Sequence, residues 1–191
     1  RQACADAAQW PKGIKVAVNL SAAQFRFGNV RQAVISALGT SRLMPHDLEL
    51  EVTESVLLEE RAEVAETLNR LHDIGVRIAL DDFGTGYSTL SYLQKFPFDK
   101  IKIDRSFISE IGSDNNISLA IIRATVALAN SLGVPTTAEG VETEDQLKRV
   151  RKEGCTEVQG FFIGRPRPVR DVASTLSNWQ GARAQDARHA G

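Results

Sequence analysis

No run of apolar residues approaches the roughly 18 that a bilayer-spanning helix needs, and no basic segment followed by an apolar one opens the chain. Neither a membrane contact nor a secretory leader is expected within these residues. Cysteine is scarce: Cys4 and Cys155 are the only two, too few for a disulfide framework, and that usage fits a reducing cytoplasm. Histidine is scarce too, three in 191 residues, and none ends a predicted strand, which speaks against a zinc hydrolase. An excess of one charge is also missing. Against 24 Asp plus Glu stand 23 Lys plus Arg, a net charge of −1, and this argues against a broad surface for a nucleic-acid polymer. What remains, 42% hydrophobic and 25% charged residues, is an ordinary soluble globular composition, long enough to bury a core in one domain. The chain starts at Arg1 without an initiator Met, and Arg1 to Trp10 reads like the second half of an amphipathic helix. A chain cut from something larger is the expectation.

Along the chain, short β-branched and apolar runs alternate with helical periodicity. Strands are predicted over Ile14 to Leu20, Asp47 to Val52, Val76 to Leu80, Lys100 to Ile103, Val134 to Ala138 and Glu157 to Phe161. Helical spacing links Val30, Val34, Ile35 and Leu38, and a second helix over Glu59 to Ile74 places Val64, Leu68 and Leu71 on one face. A short helix reaches Lys95, Ile117 to Leu132 predicts a largely buried helix, Thr143 to Glu153 opens with a Thr-x-x-Gln capping box, and Asp171 to Trp179 closes the fold. Residues 1–180 read as one domain and residues 181–191 as a frayed tail. Six strands alternating with helices imply a parallel sheet, either open and doubly wound or a (β/α)8 barrel.

Polar residues favour the barrel. Every predicted strand ends in a polar or charged group that the strand pattern does not require: Asn19, Glu51, Asp81 with Asp82, Lys102, Glu139 and Gln159. A barrel gathers all such ends into one mouth, whereas an open sheet converges only those at its switch point. Four carboxylates and an amide oxygen in one mouth repel one another unless a cation neutralises them, and oxygen donors suit Mg2+ or Mn2+. Taken singly, an acid at a strand end is more often a helix N-cap or an ion-pair partner, a role open to Glu54, Asp104 and Glu142. Adjacent Asp81 and Asp82 in an apolar run are harder to explain without a divalent ion.

The ordered motifs VNLSAAQ (Val18 to Gln24), LELEVTES (Leu48 to Ser55), IALDDFGTGYSTLSYL (Ile78 to Leu93), FDKIKIDRSFI (Phe98 to Ile108), TAEGVET (Thr137 to Thr143) and VQGFFIGRP (Val158 to Pro166) resemble the EAL domain family. Its members are cyclic di-GMP phosphodiesterases, and some are non-catalytic receptors of the same dinucleotide. The resemblance implies a TIM-like barrel of which about six of eight strands are present, and hydrolysis of cyclic di-GMP to linear pGpG with two Mg2+ or Mn2+ ions roughly 4 Å apart. Asn19, Glu51 and Asp81 would hold one cation, Asp82 would serve the second, and Glu139 would be a further metal-site carboxylate. Lys102 would hold the attacking water and offset phosphate charge, and Gln159 would orient a water. Glu54 would brace the Asp82 to Ser88 loop, which in this family couples metal binding to a homodimer. Phe161, Phe162 and Pro166 sit where guanine could stack, and Gln24 would touch the ligand. A receptor that binds without cutting is the alternative, and a metal-dependent barrel enzyme for another phosphoester is a third.

Three departures from the family pattern stand out. The Glu-Ala-Leu run that names the family does not occur, Thr156 stands where Asp is usual, and Gly164-Arg165 replaces Ser-Lys or Ser-Arg. Without that run the 191 residues alone are expected to bind metal weakly and turn over slowly.

Overall fold

Two runs, Leu48-Glu49-Leu50-Glu51 and Lys100-Ile101-Lys102-Ile103, set the organisation. Successive side chains of a strand leave opposite faces, so each run sends aliphatic groups one way and charges the other. In the computed structural model, which describes residues 1–59, 61–86, 96–112 and 116–176, both runs are strands. The sheet comprises β1 (Val16–Leu20), β2 (Leu48–Thr53), β3 (Arg77–Phe83), β4 (Lys100–Ile103), β5 (Thr136–Ala138) and β6 (Glu157–Val158). All neighbours are parallel, and the spatial order follows the chain from β1 to β6.

Leu48, Leu50 and Val52 join Ile78, Leu80 and Ile101 in one apolar cluster with Val64, Leu68 and Leu71 of the helix Arg61–Asp73. Leu68, Leu71, Ile78 and Ile101 are fully buried, and each such side chain contributes roughly 1.5–3 kcal/mol of transfer free energy. A second cluster joins Ile103 and Ala138 to Ile122, Val126, Leu147 and Val150. The core therefore lies between sheet and helices, and the opposite face of the sheet is left to the charges. That face is tightly rolled. Strands about 4.8 Å apart would separate β2 from β6 by roughly 19 Å in a flat sheet, yet Glu49 of β2 and Glu157 of β6 lie 2.9 and 2.8 Å from the same Lys100 Nζ. The curvature answers the choice between open sheet and barrel in favour of the barrel type, while β1 and β6 are the edges among the described residues.

Local chemistry explains several boundaries. Thr143 caps the helix Glu144–Lys152: its hydroxyl accepts from Gln146 N at 3.2 Å and Gln146 Oε1 accepts from Thr143 N at 3.0 Å, the expected box. The anticipated helix Glu59 to Ile74 is described over Arg61–Asp73, and a helix over Glu54–Glu59 lies before residue 60, which is outside the described residues. The strand expected to end at Leu80 runs on to Phe83 and so contains both aspartates. The last strand is shorter than the expected Glu157 to Phe161, because a side chain at Gly160 would meet the Val141 backbone oxygen at 2.2 Å; there the chain leaves β5 to bond the segment after it, Phe162 N donating to Val141 O at 3.0 Å. The helix Asn116–Leu132 is buried along one stripe, with Ile117 and Leu132 exposed, rather than around its circumference. The short helix to Lys95, the end of the closing helix at Trp179 and the tail 181–191 lie outside the described residues. No helix among the described residues is long and apolar enough to cross a membrane.

Both cysteines are buried, Cys4 at 3% and Cys155 at 8% exposure. Burial raises the Cys4 thiol and pushes that of Cys155 from 9.0 up to about 11. At pH 8 neither is a thiolate in the folded chain, so iodoacetamide is expected to leave both unlabelled over a time that labels the guanidinium-unfolded chain completely. Fast labelling of either in the native chain would contradict its burial. The unfolded Cys155 thiol loses its proton at lower pH than the folded one, so stability falls as pH rises through the window between 9.0 and about 11.

Candidate metal and phosphoester site

The acidic pair sits on a deliberate irregularity. Between Leu80 and Phe83 the register of β3 on β4 shifts, and Asp82 adopts φ 54°, a left-handed conformation that costs a non-glycine residue about 1–2 kcal/mol. A regular strand would send adjacent side chains to opposite faces. Here Asp81, Asp82 and Glu139 bring one carboxylate oxygen each to within 4.8 Å of one another.

Lys102, two residues into the alternation of β4, reaches into the same group. Its ammonium lies 2.8 Å from Glu51 Oε1, 3.0 Å from Asp81 Oδ1 and 2.6 Å from Glu139 Oε1. Glu51, Asp81 and Lys102 are all buried. Burial by itself disfavours the charged lysine, but the hydrogen bonds to Glu139 and Glu51 prevail and raise its pKa. Burial raises the Glu139 carboxyl, Lys102 pulls it down, and Asp81 and Glu51 push it up again, with a net rise. Asp82 is raised by burial and then by the charges of Asp81 and Asp104. Four carboxylates around one ammonium leave the group with an excess of negative charge.

Asn19 completes it. Its amide lies 3.2 Å from Glu51 Oε2 and 3.3 Å from Asp81 Oδ2; turned one way its nitrogen donates to both, and turned the other it presents an oxygen to the same point. Oxygen donors without histidine or cysteine, an adaptable amide and an uncompensated negative charge fit a hard divalent cation. Asn19, Glu51, Asp81, Asp82 and Glu139 are the residues that could hold it.

The remaining predicted residues divide. Glu54, at the start of its helix, accepts a hydrogen bond from Gly84 N at 3.0 Å and ties that helix to the turn after β3; a side chain at Gly86 would come within 2.7 Å of the same carboxylate. The Ser88 end of this loop lies outside the described residues. Asp104 is a helix N-cap, accepting from Ser106 N at 2.9 Å, the ordinary role weighed for it. Gln24 Oε1 caps its own helix, accepting from Ser21 N at 2.9 Å, which leaves the amide nitrogen for any ligand. Gln159 is exposed, and among the described residues its side chain makes no hydrogen bond to the carboxylates. It lines a cavity of about 650 Å3 at the β6 edge with Gly160, Ile163 and Arg165. Phe161 and Phe162 are half exposed there, with the Arg165 guanidinium 4.7 Å from the Phe161 ring centre, and Pro166 is exposed beside them. Thr156, the departure from Asp, exchanges hydrogen bonds with the Thr136 backbone, both at 2.9 Å, and so anchors the start of β5 on β6.

Sequence reasoning stopped at the strand ends and missed Glu49, Lys100, Thr137 and Glu157, which form a second polar level inside the rolled sheet. The signal was the period-two charge in LELE and KIKI.

The EAL domain family model matches residues 1–166. An uncharacterized signaling protein of Caulobacter vibrioides is 52% identical over 182 residues, 95% of this chain and 22% of that protein. MucR of Pseudomonas aeruginosa, a bifunctional diguanylate cyclase/cyclic di-GMP phosphodiesterase, is 41% identical over 180 residues, 92% of this chain and 26% of its own length. The solved structure of the MucR phosphodiesterase in complex with cyclic di-GMP has a TM-score of 0.84, covering 90% of this chain and 70% of that one. BlrP1 of Klebsiella pneumoniae, solved with manganese and cyclic di-GMP, is 32% identical with a TM-score of 0.74, covering 84% of this chain and 41% of that one. The chain thus spans about a fifth to a quarter of the length of these curated relatives. With a match that takes in β1 to β6 and every carboxylate gathered around Lys102, the chain belongs to the EAL domain family.

Proposed function

We propose that the EAL domain to which these residues belong carries out metal-dependent hydrolysis of cyclic di-GMP to linear pGpG. The observation that carries this reading is the Lys102 ammonium bonded to Glu51, Asp81 and Glu139 beside the paired aspartate of the bulge. The cyclic di-GMP complexes of MucR and BlrP1 support the substrate, and the manganese in the latter supports Mg2+ or Mn2+ as the ions.

Asn19, Glu51, Asp81, Asp82 and Glu139 would hold the divalent ions. When bound, such ions neutralise phosphate charge and lower the pKa of a coordinated water. In the reaction a water oxygen joins phosphorus and one ester oxygen departs; one of the water's protons ends on the hydroxyl of the leaving sugar, and the other stays on the new phosphomonoester or is released to solvent. Lys102 keeps its proton, since its carboxylate neighbours raise its pKa; it therefore acts as a donor that orients water or a phosphate oxygen and not as a base. Glu54 holds the turn carrying Asp82 and Gly84. Gln159 would orient water at the rim, Phe161 and Pro166 would flank a guanine, and the free Gln24 nitrogen would meet the ligand. A homodimer through the Asp82 to Ser88 region, implied by the family resemblance alone, and a cytoplasmic site of action, which the two free cysteines support, complete the reading.

Glu51→Ala removes a donor and leaves Lys102 with two carboxylates. In the full-length protein the formation of pGpG, followed chromatographically with Mn2+, should fall by on the order of a hundredfold or more; an unchanged rate would refute the ligand role. Binding of cyclic di-GMP with no pGpG from the unaltered full-length protein would identify a receptor instead. Asp82→Gly relieves the left-handed strain and one like charge, so the melting temperature should rise by the equivalent of about 1 kcal/mol while Mn2+ affinity drops; a lower melting temperature would contradict the strain. Protons compete with the cation at Asp82 and Glu139, whose raised pKa values mean that protonation sets in above the usual carboxylate range. Mn2+ affinity should therefore decline on acidification before pH reaches that range, and a decline confined to lower pH would argue against these two as ligands.

A further inference from the structure

The inner face of the rolled sheet is stacked in levels, each supplied by alternate strands as in barrels generally. The ladder pairs Glu51 with Ala79 and Ala79 with Lys100, and Lys102 with Thr137 and Thr137 with Glu157. The ion pairs run two residues off that register, Lys100 to Glu49 and Glu157 and Lys102 to Glu51, the stagger that strand tilt imposes in a barrel, and so put Glu49, Lys100 and Glu157 of β2, β4 and β6 at one level. Glu51 and Lys102 stand on the same two strands one step nearer the mouth, with Asn19, Asp81 and Glu139 beyond them. Barrel interiors are dominated by Val, Ile and Leu, so the lower level is unexpected. Its Glu49 is buried at 5% exposure, its Lys100 Nζ lies 2.9 Å from Glu49 and 2.8 Å from Glu157, and Thr137 Oγ1 donates to Glu157 at 3.0 Å.

Stability alone is a weak reason for such a group, because apolar side chains in place of a buried ion pair are often neutral or stabilising. Spacing supplies a better one. Glu49 and Glu51 lie two residues apart on one face of β2, and Lys100 and Lys102 two residues apart on one face of β4, a rise of about 7 Å on each strand. Between them β3 offers Ala79, fully buried and small enough for both lysines to cross. On β2, the other's glutamate is thus the alternative partner of each lysine. We propose that Lys100 is a positioning residue: by engaging Glu49 and Glu157 it prevents Glu49 from capturing Lys102, and so keeps the Lys102 ammonium among Glu51, Asp81 and Glu139. The inference rests on the reading of that upper group as the working site.

The test compares Lys100→Met with two double variants that restore the net charge of the lower level, Glu49→Gln/Lys100→Met and Lys100→Met/Glu157→Gln. The reporter is the 1H–15N signal of the Lys102 ammonium, assigned by its loss in Lys102→Met, and it needs no metal. The signal should move in Lys100→Met, return in the double variant lacking the Glu49 charge, and stay displaced in the one lacking the Glu157 charge. Mn2+ binding, followed by electron paramagnetic resonance, should tighten roughly three- to tenfold in Lys100→Met as the upper carboxylates lose their ammonium, and return to within about twofold of the original only when Glu49 is neutralised. A merely structural role would weaken binding in every variant. An unmoved signal in Lys100→Met, or equal recovery in both double variants, overturns the inference. Should Lys100→Met not fold, the contrast between the double variants decides alone. Absence of Mn2+ binding in the unaltered chain would overturn the metal site, while the ammonium signals would still decide the role of Lys100.

Discussion

One ammonium shared by three carboxylates, that of Lys102 with Glu51, Asp81 and Glu139, is the interaction around which the rest of the structure is arranged. Removing ions from water costs several kcal/mol each even after relaxation. The fold meets that cost from outside the site. Aliphatic residues on the other face of the same strands pack against helices, and the helices pin the strands at the curvature that lets side chains from β2, β3 and β4 and the end of β5 converge. Charge excess is then a property of the mouth, where the proposed divalent ion and phosphodiester would meet it, and not a defect of the core.

Much of this was legible in the residues. Six strands, their parallel order and the capping box at Thr143 follow from periodicity and local chemistry, and the polar strand ends point to a rolled sheet because only curvature brings all of them together. The bulge at Asp82 was not legible: nothing in LDDF distinguishes a regular strand from one whose register slips, and the difference lies in how β3 meets β4. Gly160 shows a second limit. Its need to pass within contact of the Val141 backbone depends on two segments distant in sequence, so the early end of β6 has no local signature. The lower level of charge was written in plain alternation, yet its partners come from three strands and only the fold pairs them.

Several of these features work against stability in the service of the site. Asp82 holds a conformation that glycine would adopt more readily, Glu139 is pressed toward protonation by burial and by its acidic neighbours, and Asp81 and Asp82 repel each other. Such tension is characteristic of preorganised binding sites, where the ligand relieves what the protein endures without it. Glu54 extends this logic to the turn beyond β3, since its bond to Gly84 N couples the placement of the aspartates to a neighbouring helix.

Ala79 has no chemistry of its own, yet its methyl group sets a clearance. Both lysines must span β3 to reach β2, so the height of the side chain at this position limits how low they lie. A residue with branches at Cβ would lift two crossbeams at once, altering pairs it never touches. The depth at which two charged side chains lie over the sheet is thus governed by one of the smallest residues in the protein.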